Sequence, residues 1–182
     1  MKWHIIQVMQ LPEIIDVMKK VYLSLGTNLG NRRLYIVKME MFLREILSPP
    51  FMLSRLMETE PVGTDEKQQW FYNRIFMGHS IHSPDTLLTY CLDIEKKLGR
   101  VGKNNLKART ADIDILFIEN TVISNEKLII PHHKLLLRRF CMEGMYEIAP
   151  EKIHPIENRS FKEIFSFMPE NIRKQRIIFI DN

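Results

Sequence analysis

Asp112 and Asp114 stand two residues apart in the stretch Lys107-Ala108-Arg109-Thr110-Ala111-Asp112-Ile113-Asp114-Ile115, inside an otherwise apolar run. Residues 113–118 have the β-branched and aromatic composition of a strand. On a strand, residues i and i+2 project from one face, so the two carboxylates stand side by side with Cα atoms about 7 Å apart. Like charges that close repel unless positive charge lies between them. One reading is a solvated face with Arg109 as a surface salt-bridge partner. The other is a site for divalent cations, Mg2+ above all, which combines carboxylate oxygen with substrate phosphate.

Three further features bear on this choice. The loop 100–109 carries four cations, Arg100, Lys103, Lys107 and Arg109, and no anion. Such a loop is either a solubilising surface or a phosphate cradle. Asn73 shares a strand face with Phe71, Ile75 and Met77. It is either a hydrogen-bonded core amide or one that offers an acceptor and two donors to the edge of a heterocycle. His132 and His133 are adjacent, and neighbours in sequence cannot easily ligate one ion.

The elements that must position these groups follow from period and punctuation. A strand over 21–25 runs into a turn rich in Gly and Asn, and Asn31 caps an amphipathic helix over 32–47 that ends before Pro49-Pro50. Residues 51–60 and 70–80 read as strands around the polar loop 64–69. Ser83-Pro84-Asp85 opens a helix that buries Leu87, Cys91, Ile94 and Leu98 and stops at Gly99. Glu95 flanks that stripe and faces the loop leading to Asp112. After residue 118 come short strands over 121–123 and 128–130, a helix over 135–148, a short helix over 160–167 and an edge strand over 176–180. The order β-α-β-β-α-β predicts an α+β, ferredoxin-like antiparallel sheet with helices packed on one face, extended by a C-terminal hairpin and helices.

Composition narrows the function classes. A chain of 182 residues with 45% apolar content can bury one core. Residues 20–182 are expected to form a single domain, and residues 1–19 an extension with a short amphipathic segment from Pro12. The net charge of +4, spread without a basic run, suits an anionic small molecule and argues against nucleic acid. Cys91 and Cys141 read as small buried hydrophobes in a reducing compartment. No apolar run has the length of a membrane span and no signal peptide is read, so a cytoplasmic protein is expected. Gly26 and Gly30 stand four apart with no third glycine, and no P-loop occurs, so the common nucleotide-binding fingerprints are missing.

Several stretches, taken in order, resemble one family. They are Ser24-Leu25-Gly26-Thr27-Asn28-Leu29-Gly30, Glu58-Thr59-Glu60-Pro61-Val62-Gly63, Phe71-Tyr72-Asn73, Ile94-Glu95-Lys96-Lys97-Leu98-Gly99-Arg100, Ala108 to Ile115, and Ile130-Pro131-His132 through Arg138-Arg139-Phe140. The chain resembles the 6-hydroxymethyl-7,8-dihydropterin pyrophosphokinases of folate biosynthesis from about residue 21 to 149. The resemblance implies an enzyme that moves the terminal pyrophosphoryl group of ATP to the pterin hydroxymethyl group and releases AMP. It implies that Asp112 and Asp114 hold two Mg2+ ions. It implies triphosphate contacts from Arg100 and Arg109, and an ATP site that also includes Glu95, Ile115, Leu128, His132 and His133. It places the pterin among Thr59, Val62, Phe71, Asn73, Arg138 and Phe140, with the two phenylalanines on its faces. A monomer is expected, with ATP and the pterin as its partners.

The resemblance has departures. Gly102 stands where the family often has a second arginine, Leu106 is nearest to a frequent Trp, Leu92 replaces a frequent Gln, and His133 stands where an aromatic is common. Lys103 or Lys107 is expected to take over the missing charge. Two rival readings stand beside it: a two-metal phosphodiesterase or nuclease using Asp112, Asp114 and Glu95, and a non-catalytic ferredoxin-like binding module. Both leave Phe71, Asn73 and Phe140 without a role.

Overall fold

The computed structural model describes residues 18–63, 68–101 and 107–180. The amphipathic segment from Pro12, residues 64–67 of the polar loop, and Gly102, Lys103 and Leu106 of the cationic loop lie outside the described residues.

Strand β1 (Lys19–Thr27) runs through the middle of the molecule. It pairs antiparallel with β4 (Phe71–Ser80) on one side and β5 (Asp112–Ile118) on the other. Its first residue, Lys19, pairs with Ser80, so the strand starts two residues before the expected position. Beyond β4 lie β2 (Ser48–Leu53) and β3 (Leu56–Thr59), and β3 pairs in turn with β10 (Ile177–Ile180). The sheet order is β10-β3-β4-β1-β5, with every neighbouring pair antiparallel. Two further two-stranded ribbons follow β5: β6 with β7 (Ile123–Ser124, Ile129–Ile130) and β8 with β9 (Ile153–His154, Arg159–Ser160).

The strand expected over 51–60 is in fact two. At the break, the Ser54 N–H donates to the Ile75 carbonyl (2.9 Å) and the Ser54 hydroxyl accepts from the Ile75 N–H (2.9 Å). A side chain thus replaces a main-chain partner, and the strand can bend without orphaning a buried amide.

Helices α1 (Arg32–Ile46) and α2 (Pro84–Lys97) cover one sheet face. Asn31 and Ser83 cap them as read, accepting from the N–H groups of Leu34 (3.1 Å) and Thr86 (3.2 Å). Gly99 ends α2 with φ of 82°, a conformation that favours glycine. Ile36, Met39 and Leu43 of α1 and Leu87, Cys91 and Ile94 of α2 pack on Val21, Leu23, Leu25, Ile113 and Ile115. Each such side chain contributes roughly 1.5–3 kcal/mol by leaving water.

The two helices of the core share one face as expected, and the extra C-terminal helices take the other. Tyr22, Ile75, Met77, Leu116 and Phe117 form a second apolar surface on the opposite face. It is covered by α3 (Arg139–Ile148) and by Phe161 of α4 (Phe161–Ser166), after which α5 (Glu170–Arg173) leads into β10. The alternation along each strand is apolar on both faces near its middle, so the sheet demands two covers.

The helix expected over 135–148 is also interrupted. A single 3-10 turn (Leu135–Leu137) precedes Arg138, which is extended at φ −117° and ψ 117° and serves as the N-cap residue of α3.

Gly144 lets α3 approach β4. A Cβ there would meet Ile75 Cγ1 at 2.2 Å and Ile75 Cβ at 3.0 Å. Alanine would gain about 1 kcal/mol of helix propensity, but core overpacking costs about 1–3 kcal/mol, and a 2.2 Å clash with a strand side chain puts the cost at the upper end. Gly144→Ala is therefore expected to destabilise the protein in urea unfolding. In a double-mutant cycle, Ile75→Ala should cost less in the Gly144→Ala background than alone.

His154 is buried against Phe161, and its Nδ1 accepts from the N–H groups of Glu157 (3.2 Å) and Ile156 (3.4 Å). Burial lowers its pKa, with the charge of Glu157 opposing. The folded state therefore prefers the neutral ring. Its stabilisation is complete above the ordinary value of about 6.5 and is lost as pH falls through the lower folded value. The thermal midpoint should fall as pH drops below about 6.5, and His154→Asn, which keeps an acceptor but does not titrate, should flatten that slope.

Candidate active site

The predicted site residues gather where β1, β3 and β5 end or begin at one edge of the molecule. Strand register places Gly26 of β1 opposite both Asn73 of β4 and Asp112 of β5. A Cβ on Gly26 would lie 2.9 Å from Asn73 Oδ1 and 3.6 Å from the Asp112 Cβ. The glycine read as part of a turn is thus a strand residue whose missing side chain keeps the space between the amide and the carboxylate open.

Thr59, Val62, Phe71, Asn73, Arg109, Asp112, Arg138 and Phe140 line a single cavity. Asn73 is buried, and one of its amide N–H groups donates to Thr59 Oγ1 (2.8 Å). That bond fixes the amide plane at the cavity wall. The Arg109 guanidinium lies 4.9 Å from the Phe71 ring centre, and that of Arg138 lies 6.0 Å from Phe140. The cavity therefore joins an aromatic and amide part to a charged part.

The charged part is a lattice around Asp112. One of its oxygens accepts from Arg100 (2.7 Å) and the other from Arg109 (2.7 Å). The same Arg100 nitrogen donates to Glu95 (2.5 Å), whose oxygen also accepts from the Ile113 N–H (2.7 Å). Asp114 accepts from Arg138 (3.2 Å). Burial pushes the Glu95 carboxyl up to about 7, while the Ile113 N–H and Arg100 oppose the rise. Burial also raises Asp114, and the charge of Asp112 adds to the rise. The surface salt-bridge reading of Arg109 is thereby replaced: its side chain and that of Asp112 are only 11% and 12% exposed.

Among the described residues, no three His, Cys, Asp or Glu side chains converge as a metal cage. Asp112 and Asp114 remain as a pair of hard oxygen donors. A pair suits Mg2+, which keeps water and substrate phosphate oxygens in its remaining positions. Burial raises Asp114 first and the charge of Asp112 second, and a cation between the two would offset that second contribution. Glu95 faces Arg100 and a backbone N–H instead of this pair, which weakens the nuclease reading.

The remaining predicted residues are not among those that line the cavity. His132 is half-buried and its Nδ1 accepts from the Lys134 N–H (3.2 Å), so its proton sits on Nε2. Burial, followed by the charges of His133 and Arg138, lowers its pKa to about 4. His133 is exposed and its ring centre lies 4.5 Å from that of His132. Ile115 and Leu128 are buried in the core shared with α2. Leu92 is 52% exposed on the outer side of that helix. Lys107 is exposed.

Comparison with known proteins gives a consistent result. Residues 22–150 match the family described as 7,8-dihydro-6-hydroxymethylpterin-pyrophosphokinase (HPPK). The chain is 36% identical over 157 residues to the 2-amino-4-hydroxy-6-hydroxymethyldihydropteridine pyrophosphokinase of Aquifex aeolicus, covering 86% of this chain and 95% of that one. It is 33% identical over 164 residues to the folic acid synthesis protein fol1 of Pneumocystis carinii, of which it spans 22%. Among solved structures, it resembles Plasmodium falciparum HPPK-DHPS with pteroate at a TM-score of 0.67 and 17% identity, covering 90% of this chain and 48% of that one. This last likeness speaks to the fold.

Sequence reasoning assigned no role to Asn28, which the structure places at the hub of the site. Its N–H donates to the Arg109 carbonyl (3.0 Å), its Oδ1 accepts from the Arg109 N–H (2.8 Å), and its Nδ2 reaches Gln68 (3.0 Å) and the Gln69 carbonyl (3.2 Å). The signal was a single Asn directly after a strand, which reads equally as turn chemistry. Asn28→Ala leaves the Arg109 N–H without its acceptor, at a cost of about 1–3 kcal/mol. Denaturant unfolding should register that loss, and hydrogen exchange should show the Arg109 amide deprotected. Asn28→Asp, which keeps the acceptor, should restore that protection.

Proposed function

The chain belongs to the 7,8-dihydro-6-hydroxymethylpterin-pyrophosphokinase family, and from that premise we propose how its residues divide the transfer of pyrophosphate from ATP to 6-hydroxymethyl-7,8-dihydropterin in folate biosynthesis. The observation that carries the reading is the shared cavity: an aromatic and amide wall and an arginine–carboxylate lattice open onto the same space.

The pterin lies between Phe71 and Phe140, with the Asn73 amide along its edge and the backbone at Thr59 and Val62 at its end. A flat polar heterocycle needs two apolar faces and a matched hydrogen-bonding rim. Arg138 stands at the mouth of this pocket. Arg100 and Arg109 neutralise the triphosphate, and Glu95 orients Arg100. His132 is neutral at pH 7 and donates from Nε2 toward the nucleotide, beside His133, Ile115 and Leu128. Asp112 and Asp114 would hold two Mg2+ ions, which would supply charge neutralisation for the polyphosphate and for the oxygens that gain charge in the transfer. The side chains mainly align the pterin hydroxyl with the β-phosphorus and spread the charge that develops on the transferred group.

The wider setting is proposed on the same footing. The strand order, with α1 and α2 as the two crossovers, supports the ferredoxin-like reading of residues 20–182 as one domain. Among the described residues no helix is long and apolar enough to cross a membrane. A cytoplasmic monomer acting on small molecules, without nucleic acid, fits the modest and dispersed charge. Lys107, exposed beside Arg109, supplements the charge of the ATP side.

Incubation with Mg2+, ATP and the hydroxymethyl pterin should yield AMP and pterin pyrophosphate in equal amounts, and chelation of the metal should stop it. AMP formation that ignores the pterin would reject the reading. Asp112→Ala and Asp114→Ala should each lower kcat by about a hundredfold to a thousandfold, in the range of lost electrostatic stabilisation. Pterin binding without nucleotide, followed by calorimetry, should stay within a few-fold of wild type.

A further inference from the structure

We infer that Gln175, which lies beyond the stretch matched to the family, is a positioning residue for the pterin pocket: its side-chain amide clamps the bend at Arg138. The inference rests on the proposed function and names a determinant of the same site.

The matched stretch ends at residue 150, yet three residues of the C-terminal segment, Gln175, Arg176 and Ile177, line the cavity. Ile177 pairs with Thr59 in the sheet. The segment is therefore bonded to the wall that carries Thr59 and Val62. Through Gln175 it is bonded to the opposite wall as well.

That second bond has a specific form. The Gln175 Nε2 donates to the Leu137 carbonyl (2.9 Å), and its Oε1 accepts from the Arg139 N–H (2.9 Å). These two backbone groups flank Arg138. In an unbroken helix over 135–148, the Arg139 N–H would donate to the Leu135 carbonyl and the Leu137 carbonyl would accept from the Cys141 N–H. In the structure the Cys141 N–H turns to the Arg138 carbonyl instead (3.1 Å). The bend thus takes the Arg139 N–H and the Leu137 carbonyl away from their helical partners. A primary amide supplies the matching acceptor and donor from one rigid plane.

The clamp is itself held. The Arg139 guanidinium donates to the carbonyls of Arg173 (2.8 Å) and Gln175 (3.1 Å) and to Glu143 (3.0 Å). The bend it fixes is what lets Arg138 reach Asp114 while Phe140 lines the cavity. Without the clamp, residues 137–139 can straighten toward the helix that their own sequence favours. Phe140 and Arg138 would then rotate away from the pterin while the lattice of Arg100, Arg109 and Asp112 stays in place.

The test is steady-state kinetics on the full chain carrying Gln175→Ala or Gln175→Glu. In Gln175→Ala the KM for the pterin should rise about tenfold, the scale of one net hydrogen bond. The KM for ATP should stay within about twofold, and kcat should fall by less than about threefold. Gln175→Glu keeps the acceptor for Arg139 and loses the donor for Leu137, so its pterin KM should lie between those of wild type and Gln175→Ala. If Gln175→Ala does not fold, Gln175→Glu decides alone, by a raised pterin KM against an unchanged ATP KM. A merely structural role would reduce the active fraction, lowering kcat with both KM values intact, and that result overturns the inference. So does an unchanged pterin KM or an equal rise in both. A wild-type protein without pterin-dependent AMP would instead reject the functional reading, and it is recognised before any variant is made.

Discussion

The site depends on one buried carboxylate whose two oxygens are each held by a different arginine. Asp112 receives Arg100 on one side and Arg109 on the other, and Arg100 extends the chain to Glu95. Charge-assisted hydrogen bonds contribute about 1.5–3 kcal/mol each, but removing several charges from water costs several kcal/mol per ion. The lattice therefore adds little net stability. What it supplies is placement: two guanidiniums are fixed on the two oxygens of a carboxylate that lines the cavity. Their positive charge is balanced by carboxylates that can share it with incoming anions.

That placement is inherited from the sheet. β1 lies between the strands that carry Asn73 and Asp112, and Gly26 separates the two without filling the gap. Asn28, two residues on, fixes the approach of Arg109 to the strand end. The α1 and α2 side supplies a continuous apolar cover. Among the described residues, the opposite side is covered where α3 and α4 pack, and the cavity lies at the end of that face. A stable scaffold and an open pocket thus share one sheet, divided by the point at which α3 begins.

Features encoded over a few residues were legible in the sequence. The D-x-D strand, the Asn31 and Ser83 caps, the Gly99 stop and the edge strand at the C-terminus all rest on local period and capping chemistry, and the structure contains them. The residues implied for the pterin by family resemblance line a single cavity. What was not legible depends on partners far apart in the chain. The division of residues 51–60 follows from Ser54 bonding to Ile75, and the second helical layer follows from Gly144 meeting Ile75. The interruption at Arg138 defeats a helical pattern that is correct on both sides of it. Its causes lie in Asp114, 24 residues earlier, and in Gln175, 36 residues after Arg139.

The bend at Arg138 shows why such long-range terms collect at the site. A continuous helix would satisfy every backbone group by itself, and its sequence favours that state locally. Holding Arg138 extended requires replacement partners for the N–H and carbonyl on either side, and a wall that stays put when the pocket is empty. The ion pair to Asp114 holds the Arg138 side chain but supplies no partner to the backbone groups on either side of it. An uncharged amide from the C-terminal segment meets the requirement without adding charge to an electrostatically crowded pocket. The bend at Arg138 and the arginine lattice are thus held by different bonds, Gln175 to Leu137 and Arg139 for one and Asp112 to Arg100 and Arg109 for the other.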